Sequence, residues 1–424
     1  MRLRIAAAAA GTALALVFAG CASGTGTTTT TPSAEEPLAI SFMTGSAEGA
    51  GSNHTMQALV DSYGNGATLE MEQLDASMDQ RIQLLASQDQ LPTFFQIGTP
   101  SQLIELHEAG FVADLEPVLE ELGVLDNLTP FSVSVIKGLY GGKLLGLPLE
   151  VGAEGFWYNT ELFAEHGIEP PETFADLEAA AATLQAAGVQ PFATAGNAGW
   201  PVTRLIAGYL HRDLGPDALR AVADGEASFT DPEYVAAAQV VRNWADAGYF
   251  GPAPGALEYG PAQDMFLQGE AAIYYNGTWV LSDFTNPEVN QIGEENIGWF
   301  PIPAVEGGAG EVTQTPANVG LPMAVNAKTL TPEVKEFLKY LVENYGTVAM
   351  EDLDIITGFQ TDAVSDSPLV AESAETISGL TEFVPWFEAL QSPEGTAASQ
   401  EGGTALVSGG LTAEQFMEQV QAAQ

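Results

Sequence analysis

From residue 38 onward, short apolar runs alternate with stretches of helical character, and this alternation limits the chain to an α/β fold more firmly than any other feature. Leu38-Ala39-Ile40-Ser41-Phe42-Met43 reads as a buried strand, and 53–63 as a helix that follows a glycine-bounded stretch from Gly45 to Gly51. Leu69 and Met71 alternate with glutamates as a second strand, 78–86 returns to helix, 93–97 is a third strand, and 101–109 is a helix stopped by Gly110. Helices between successive strands act as crossover connections, so the sheet is expected to be largely parallel. With 424 residues, 46% of them hydrophobic, the chain has material for two or three domains with substantial cores.

Helix ends are legible further along. Asp231-Pro232-Glu233 and Thr331-Pro332-Glu333 each set a capping oxygen before a proline at the first helical position. Gly248 is expected to end the first of these helices and Gly346 to follow closely on the second. Thr173 opens an alanine-rich helix that stops at Gly188, and Thr412 with Gln415 forms a capping box for a last helix over 413–422.

Lys plus Arg number 12 against 56 for Asp plus Glu, a formal charge of −44. Such a surface repels phosphate backbones and anionic headgroups, which excludes nucleic acid as a partner. The single cysteine, Cys21, excludes an intrachain disulfide, a CxxC redox pair and a cysteine zinc cluster. It follows a basic Met1-Arg2-Leu3-Arg4, an apolar 5–18 and Ala19-Gly20, an arrangement that reads as an export signal over 1–20 too short to span a bilayer. This segment resembles a bacterial lipoprotein signal, which implies that Cys21 becomes a lipidated first residue on the outer face of the cell membrane. The threonine-rich stretch 21–37 has no apolar periodicity and is expected to be a flexible tether.

Catalytic machinery is hard to find in the chain. GxSxG, HExxH and GxGxxG are absent, and Gly142-Lys143-Leu144 lacks both the leading glycine and the hydroxyl of a phosphate loop. His54, His107, His166 and His211 are scattered singly, and Glu150 with Glu154 is a carboxylate couple of a kind that arises easily among 56 acids. The expectation is a protein that is not an enzyme and takes no metal or cofactor.

Three linked stretches carry a family resemblance: Gly142-Lys143-Leu144-Leu145-Gly146-Leu147-Pro148, then Tyr158-Asn159-Thr160-Glu161-Leu162-Phe163, then Gly167-Ile168-Glu169-Pro170-Pro171-Glu172-Thr173. Phe266-Leu267-Gln268-Gly269-Glu270, Asn276-Gly277-Thr278-Trp279 and Gly298-Trp299-Phe300-Pro301-Ile302-Pro303 extend it. In this order they resemble the extracellular solute-binding proteins of bacterial ABC importers, family 1, the maltose- and sugar-binding class. The resemblance implies a type II periplasmic-binding-protein-like fold: two α/β lobes, a hinge, and an interlobe cleft that closes on its ligand. It places lobe 1 at 38–148 plus 304–345 and lobe 2 at 149–303 plus 346–424, with crossings near 149–153, 299–303 and 345–350. It also implies a monomer that hands a mono- or oligosaccharide to membrane permease subunits, a polyamine or other small polar solute being the alternative and an extracellular glycan-active enzyme a more distant one.

A sugar site needs aromatic plates for apolar C–H faces and fixed polar groups for the hydroxyl rim. Trp200, after Gly196-Asn197-Ala198-Gly199, and Trp279, in a Gly-Thr-Trp loop, are the leading plates, with Trp386 beside Pro385 a third. Trp157 is expected in the core. Glu150 at the expected hinge resembles a family sugar-binding glutamate; Glu48, Gln96 and Thr99 lie in loops after strands of the first sheet, and Gln360 follows Thr357-Gly358-Phe359. Arg204, one helical turn after Trp200, is within reach of the same ligand or of a structural ion pair.

Overall fold

The structure, a computed structural model, describes residues 37–45, 50–64, 66–74, 78–97 and 99–424. The export signal with Cys21, the tether as far as Glu36, and Glu48 lie outside the described residues. Among the described residues no helix is long and apolar enough to cross a membrane.

Two sheets organise the chain. The first has the order Met323–Val325, Phe94–Gln96, Ala39–Gly45, Thr68–Leu74. Ala39–Gly45 runs parallel to both neighbours, and the helices Ala50–Tyr63 and Met78–Ser87 supply the crossovers. The second sheet has the order Gln190–Ala193, Ala271–Gly277, Gly152–Asn159, Ile297–Pro301, with Ala317–Asn318 paired to the start of Gly152–Asn159. Here only Gln190–Ala193 pairs in parallel, and Gly152–Asn159 is antiparallel to all its neighbours. The largely parallel sheet expected from the sequence is therefore found in the first sheet alone. Strand and helix alternation fixes the sense of consecutive strands, whereas the partners of Gly152–Asn159 arrive from far along the chain.

The strand Gly152–Asn159 is buried over nearly its whole length and faces both ways. Trp157 packs in the core against Phe284 and Trp299, at ring centroid distances of 5.0 and 6.0 Å. Phe156, on the opposite face, meets Tyr275 and Phe300 at 5.0 and 5.4 Å.

The reciprocal capping boxes form at Thr173 with Asp176 and at Thr412 with Gln415. Thr331 caps its helix by accepting from the Val334 N–H, while the Asp231 carboxylate turns back to accept from the Ser228 N–H at 2.8 Å. The helix opened by Pro332 does not stop near Gly346; it continues to Leu353 and ends at Asp354, which takes the left-handed conformation at φ 56°. Gly346 serves close approach: a Cβ there would lie 3.0 Å from the Phe359 Cβ and 3.3 Å from its carbonyl oxygen. Residues 345–350, where a crossing is expected, are helix interior.

The chain beyond Pro303 stays fastened to the second sheet. Ala304 bridges Thr173, and buried Arg212 on the helix Trp200–Leu214 donates to the carbonyls of Ile302 at 3.0 Å and Gln314 at 2.7 Å. His211, the preceding residue and wholly buried, donates from Nε2 to the Pro385 carbonyl at 2.8 Å. Burial drives its pKa from the usual 6.5 to about 4, with Arg212 and Arg220 adding to the shift against the backbone hydrogen bonds. The folded state thus holds a neutral imidazole where the unfolded chain binds a proton. The stabilisation is complete above pH ~6.5, declines as pH falls, and is gone below pH ~4, a loss of about 3 kcal/mol. Chemical denaturation of His211→Gln from pH 7 to 4 should show a shallower decline than the parent chain by this amount; parallel curves would remove the assignment.

Candidate ligand-binding cleft

The helix Trp200–Leu214 begins where the chain cannot tolerate a side chain. Gly199 sits at φ 73°, and a Cβ on it would fall 2.0 Å from the Gln400 carbonyl oxygen. Thr404 locks the preceding loop by donating to the Gly196 carbonyl at 2.7 Å. Trp200 is thereby set at the helix start, with Pro201 behind it and Arg204 one turn later on the same face.

Around this helix end lies a cavity of about 590 Å³, and four aromatic side chains line it: Trp200, Tyr259, Trp279 and Trp386. Trp200 and Trp279 stand with centroids 6.4 Å apart at 58°, and Tyr259 is 6.0 Å from Trp200. Arg204, Glu388, Asn318 and Gln400 supply polar lining, and Pro100, next to Thr99, reaches the cavity from the segment that follows the first sheet's strand Phe94–Gln96.

Beneath the rings is a charged network. The Arg204 guanidinium lies over Trp200 and Trp386, with Cζ 5.5 and 5.2 Å from the ring centroids. Its Nε donates to both Glu154 carboxylate oxygens at 3.1 Å and its Nη1 to Glu388 Oε2 at 2.7 Å. Glu154 also accepts from the Tyr275 hydroxyl at 2.8 Å, and Glu388 from the Thr203 hydroxyl. Burial raises the Glu154 pKa above the ordinary carboxylate range, with Arg204 and Tyr275 opposing and Glu388 reinforcing the rise. The Tyr275 hydroxyl is pushed well up, by burial first and then by the neighbouring Glu154 charge. Arg204, open to either role in the sequence, is an ion-paired side chain that still faces the cavity.

Glu150 occupies an adjoining cavity of about 360 Å³ with Gly152, Asp354 and Ile356; Trp279 and Asn318 line both spaces. Gly320, at φ 58°, approaches so closely that a Cβ would lie 3.2 Å from Glu150 Oε2. Gln96 is buried in the first sheet, where its Nε2 donates to the Leu321 carbonyl at 3.1 Å and its Oε1 accepts from Thr44. Thr99 is exposed at the N-cap of the helix Pro100–Glu108. Gln360 stands apart from the aromatic group, in a cavity bordered by Pro130 and Ile377, with its backbone N–H donating to the Asn127 carbonyl. The structure therefore brings Trp200, Trp279 and Trp386 together, sets Glu150 alongside them, and leaves Gln96 and Gln360 elsewhere.

Tyr259 and Glu388 join the cavity without having been singled out in the sequence. Tyr259 opens the helix Tyr259–Leu267 after the Gly- and Pro-rich stretch 251–255, a loop context that could have marked it, and Glu388 is one acid among 56. For Glu388 the available signal is the run Trp386-Phe387-Glu388, which places an acid two residues after an aromatic plate.

The arrangement sets flat apolar rings beside fixed polar groups around one cavity, chemistry that can hold a small polar guest. The carboxylates of Glu154 and Glu388 are held by Arg204 and by hydroxyl donors, an engagement unlike that of a free acid and base couple.

Among solved structures, the chain is similar to a chitin oligosaccharide binding protein, with a TM-score of 0.70, 22% identity, and coverage of 91% of this chain and 98% of that one. It is similar to a probable secreted solute-binding lipoprotein from Streptomyces coelicolor at a TM-score of 0.77, 17% identity, and 92% and 99% coverage. These likenesses show the two-lobe solute-binding fold. Curated relatives include an uncharacterized ABC transporter extracellular-binding protein of Pyrococcus horikoshii, 26% identical over 48% of this chain and 46% of its own. A multiple sugar-binding protein of Streptococcus mutans is 25% identical over 50% of each chain. The chain thus spans about half the length of the curated relatives it matches. The profile of bacterial extracellular solute-binding proteins matches residues 49–346, which include the second sheet, every strand of the first sheet but Ala39–Gly45, and three of the four aromatic residues of the cavity. With the two-lobe fold and a cavity of ligand size already described, that match places the chain in the bacterial extracellular solute-binding protein family.

Proposed function

We propose that this protein is the exported, lipid-anchored receptor of an ABC importer, and that it captures a mono- or oligosaccharide by hinge closure and presents it to the membrane permease. The observation that carries the reading is the convergence of Trp200, Tyr259, Trp279 and Trp386 on one cavity above the Arg204–Glu154–Glu388 network. Rings of this kind match sugar C–H faces, and a cavity of about 590 Å³ falls in the range of small-molecule sites. The sugar-binding relatives named above support the same class of ligand. Binding is the whole of the task in this reading; ATP hydrolysis belongs to other subunits.

Lobe 1 in this proposal holds the first sheet and lobe 2 the second. The connections between them run through 149–151, through 319–322 after the pairing of Asn318 with Gly152, and through 354–358, where Val151 donates to the Ile356 carbonyl. Contacts from both sides of the cavity would favour the closed form. Cys21 is proposed as the lipid attachment and the stretch from there to 37 as the leash.

A thermal-shift screen against sugars, amino acids and polyamines tests the ligand class, because selective binding to the folded state raises Tm. A rise with chitin, xylan or malto-oligosaccharides is expected. A rise with putrescine or spermidine and none with any sugar would replace the carbohydrate reading by the polyamine one.

A further inference from the structure

We infer that Tyr259 is a positioning residue of the aromatic cavity, whose hydroxyl sets the plane of the Trp279 indole. The inference rests on that cavity being the ligand site, and its test needs no ligand.

Among the described residues, Trp279 is the one aromatic of the exposed large hydrophobic side chains, 38% exposed, on the single 3-10 turn Thr278–Val280. Its ring lies over two glycines: a Cβ on Gly152 would meet ring carbon Cε3 at 2.8 Å, and one on Gly277 would meet Cζ3 at 2.0 Å. Bare backbone lets the indole lie flat, yet offers no side chain to hold its angle. The directed contact is Nε1–H to the Tyr259 hydroxyl oxygen at 3.2 Å. That oxygen also accepts from Asn276 Nδ2 at 2.9 Å. Asn276 is fully buried on the strand Ala271–Gly277, and its Oδ1 accepts from the Gly277 N–H at 2.9 Å. A chain of donors and acceptors therefore runs from the exposed ring, through Tyr259, to the second sheet. The Tyr259 ring also stands 6.0 Å from the Trp200 ring, so one residue touches Trp200 through its ring and Trp279 through its hydroxyl, the two plates whose mutual angle a flat guest must match.

Tyr259→Phe keeps the ring and removes the link. The full chain labelled with 5-fluorotryptophan gives one ¹⁹F resonance for each of its six tryptophans, and Trp279→Phe identifies the Trp279 signal by its loss. In Tyr259→Phe the Trp279 resonance should shift and broaden as the indole samples more than one plane, while those of buried Trp157 and Trp244 stay in place. The undisturbed core resonances report that the variant is folded. An unchanged Trp279 resonance in that folded variant overturns the inference, whatever the thermal-shift screen returns, so failure of the carbohydrate reading and failure of this one are told apart.

Discussion

Arg204→Met should lower the unfolding free energy by about 3–5 kcal/mol at neutral pH, because it strands two carboxylates that the guanidinium now holds. Glu154 is 1% exposed and Glu388 7% exposed, so neither can recover its lost partner from bulk water. The deficit should carry its own pH signature. The Glu154 pKa is already raised in the parent chain, and Arg204 is the largest influence holding it down. Without Arg204 the folded-state pKa climbs further. A carboxyl with a raised folded-state pKa contributes most below its unfolded value and loses that contribution as pH rises through the folded one. Urea titrations should therefore find the difference between Arg204→Met and the parent smaller at pH 5 than at pH 8. An equal difference at both would show that the network is not the origin of the loss. Arg204→Lys should rescue little, since an ammonium cannot reproduce the fork that meets Glu154 through Nε and Glu388 through Nη1.

Trp200→Ala and Trp279→Ala should each weaken sugar binding by about 2–4 kcal/mol, roughly 30- to 1000-fold in Kd, as expected when a central aromatic contact is truncated. Trp279→Ala is the cleaner of the two. Its ring is part-exposed and lies over glycine, so the fold should lose little, and isothermal titration should show the affinity change with Tm nearly unchanged. Trp200 also carries the Arg204 guanidinium, so its removal should cost some stability as well. Unaltered affinity in both variants would place the sugar elsewhere.

Local chemistry was readable in the sequence wherever one turn of chain decides the outcome. The capping box of Thr412 with Gln415 and the helix start at Thr173 need only residues within one turn, and both form, Thr173 with a box of its own through Asp176. The tryptophans that come together were marked by neighbouring glycine or proline, whose backbone demands are also local. What depended on distant partners was hidden. Gly346 has the look of a helix stop until Phe359 is seen packed against it. The antiparallel sense of Gly152–Asn159 is set by strands from 271–277 and 297–301. Gln96 has the polar side chain and the loop-proximal position of a ligand contact, but Leu321 and Thr44 engage it first. Glu388 could be told from the other acids only after Arg204 and Thr203 were found beside it.

The helix Pro332–Leu353 is a spar of 22 residues, about 33 Å long, fixed along the helix Ala50–Tyr63 and ending beside the cavity that holds Glu150. An unbroken rod of this kind resists bending, so on this strand of the proposed hinge any swing between the lobes would fall on the few residues past Asp354 and not on the helix. That strand of the joint would then work as a knee with a stiff thigh, flexing at the rod's tip rather than along its length.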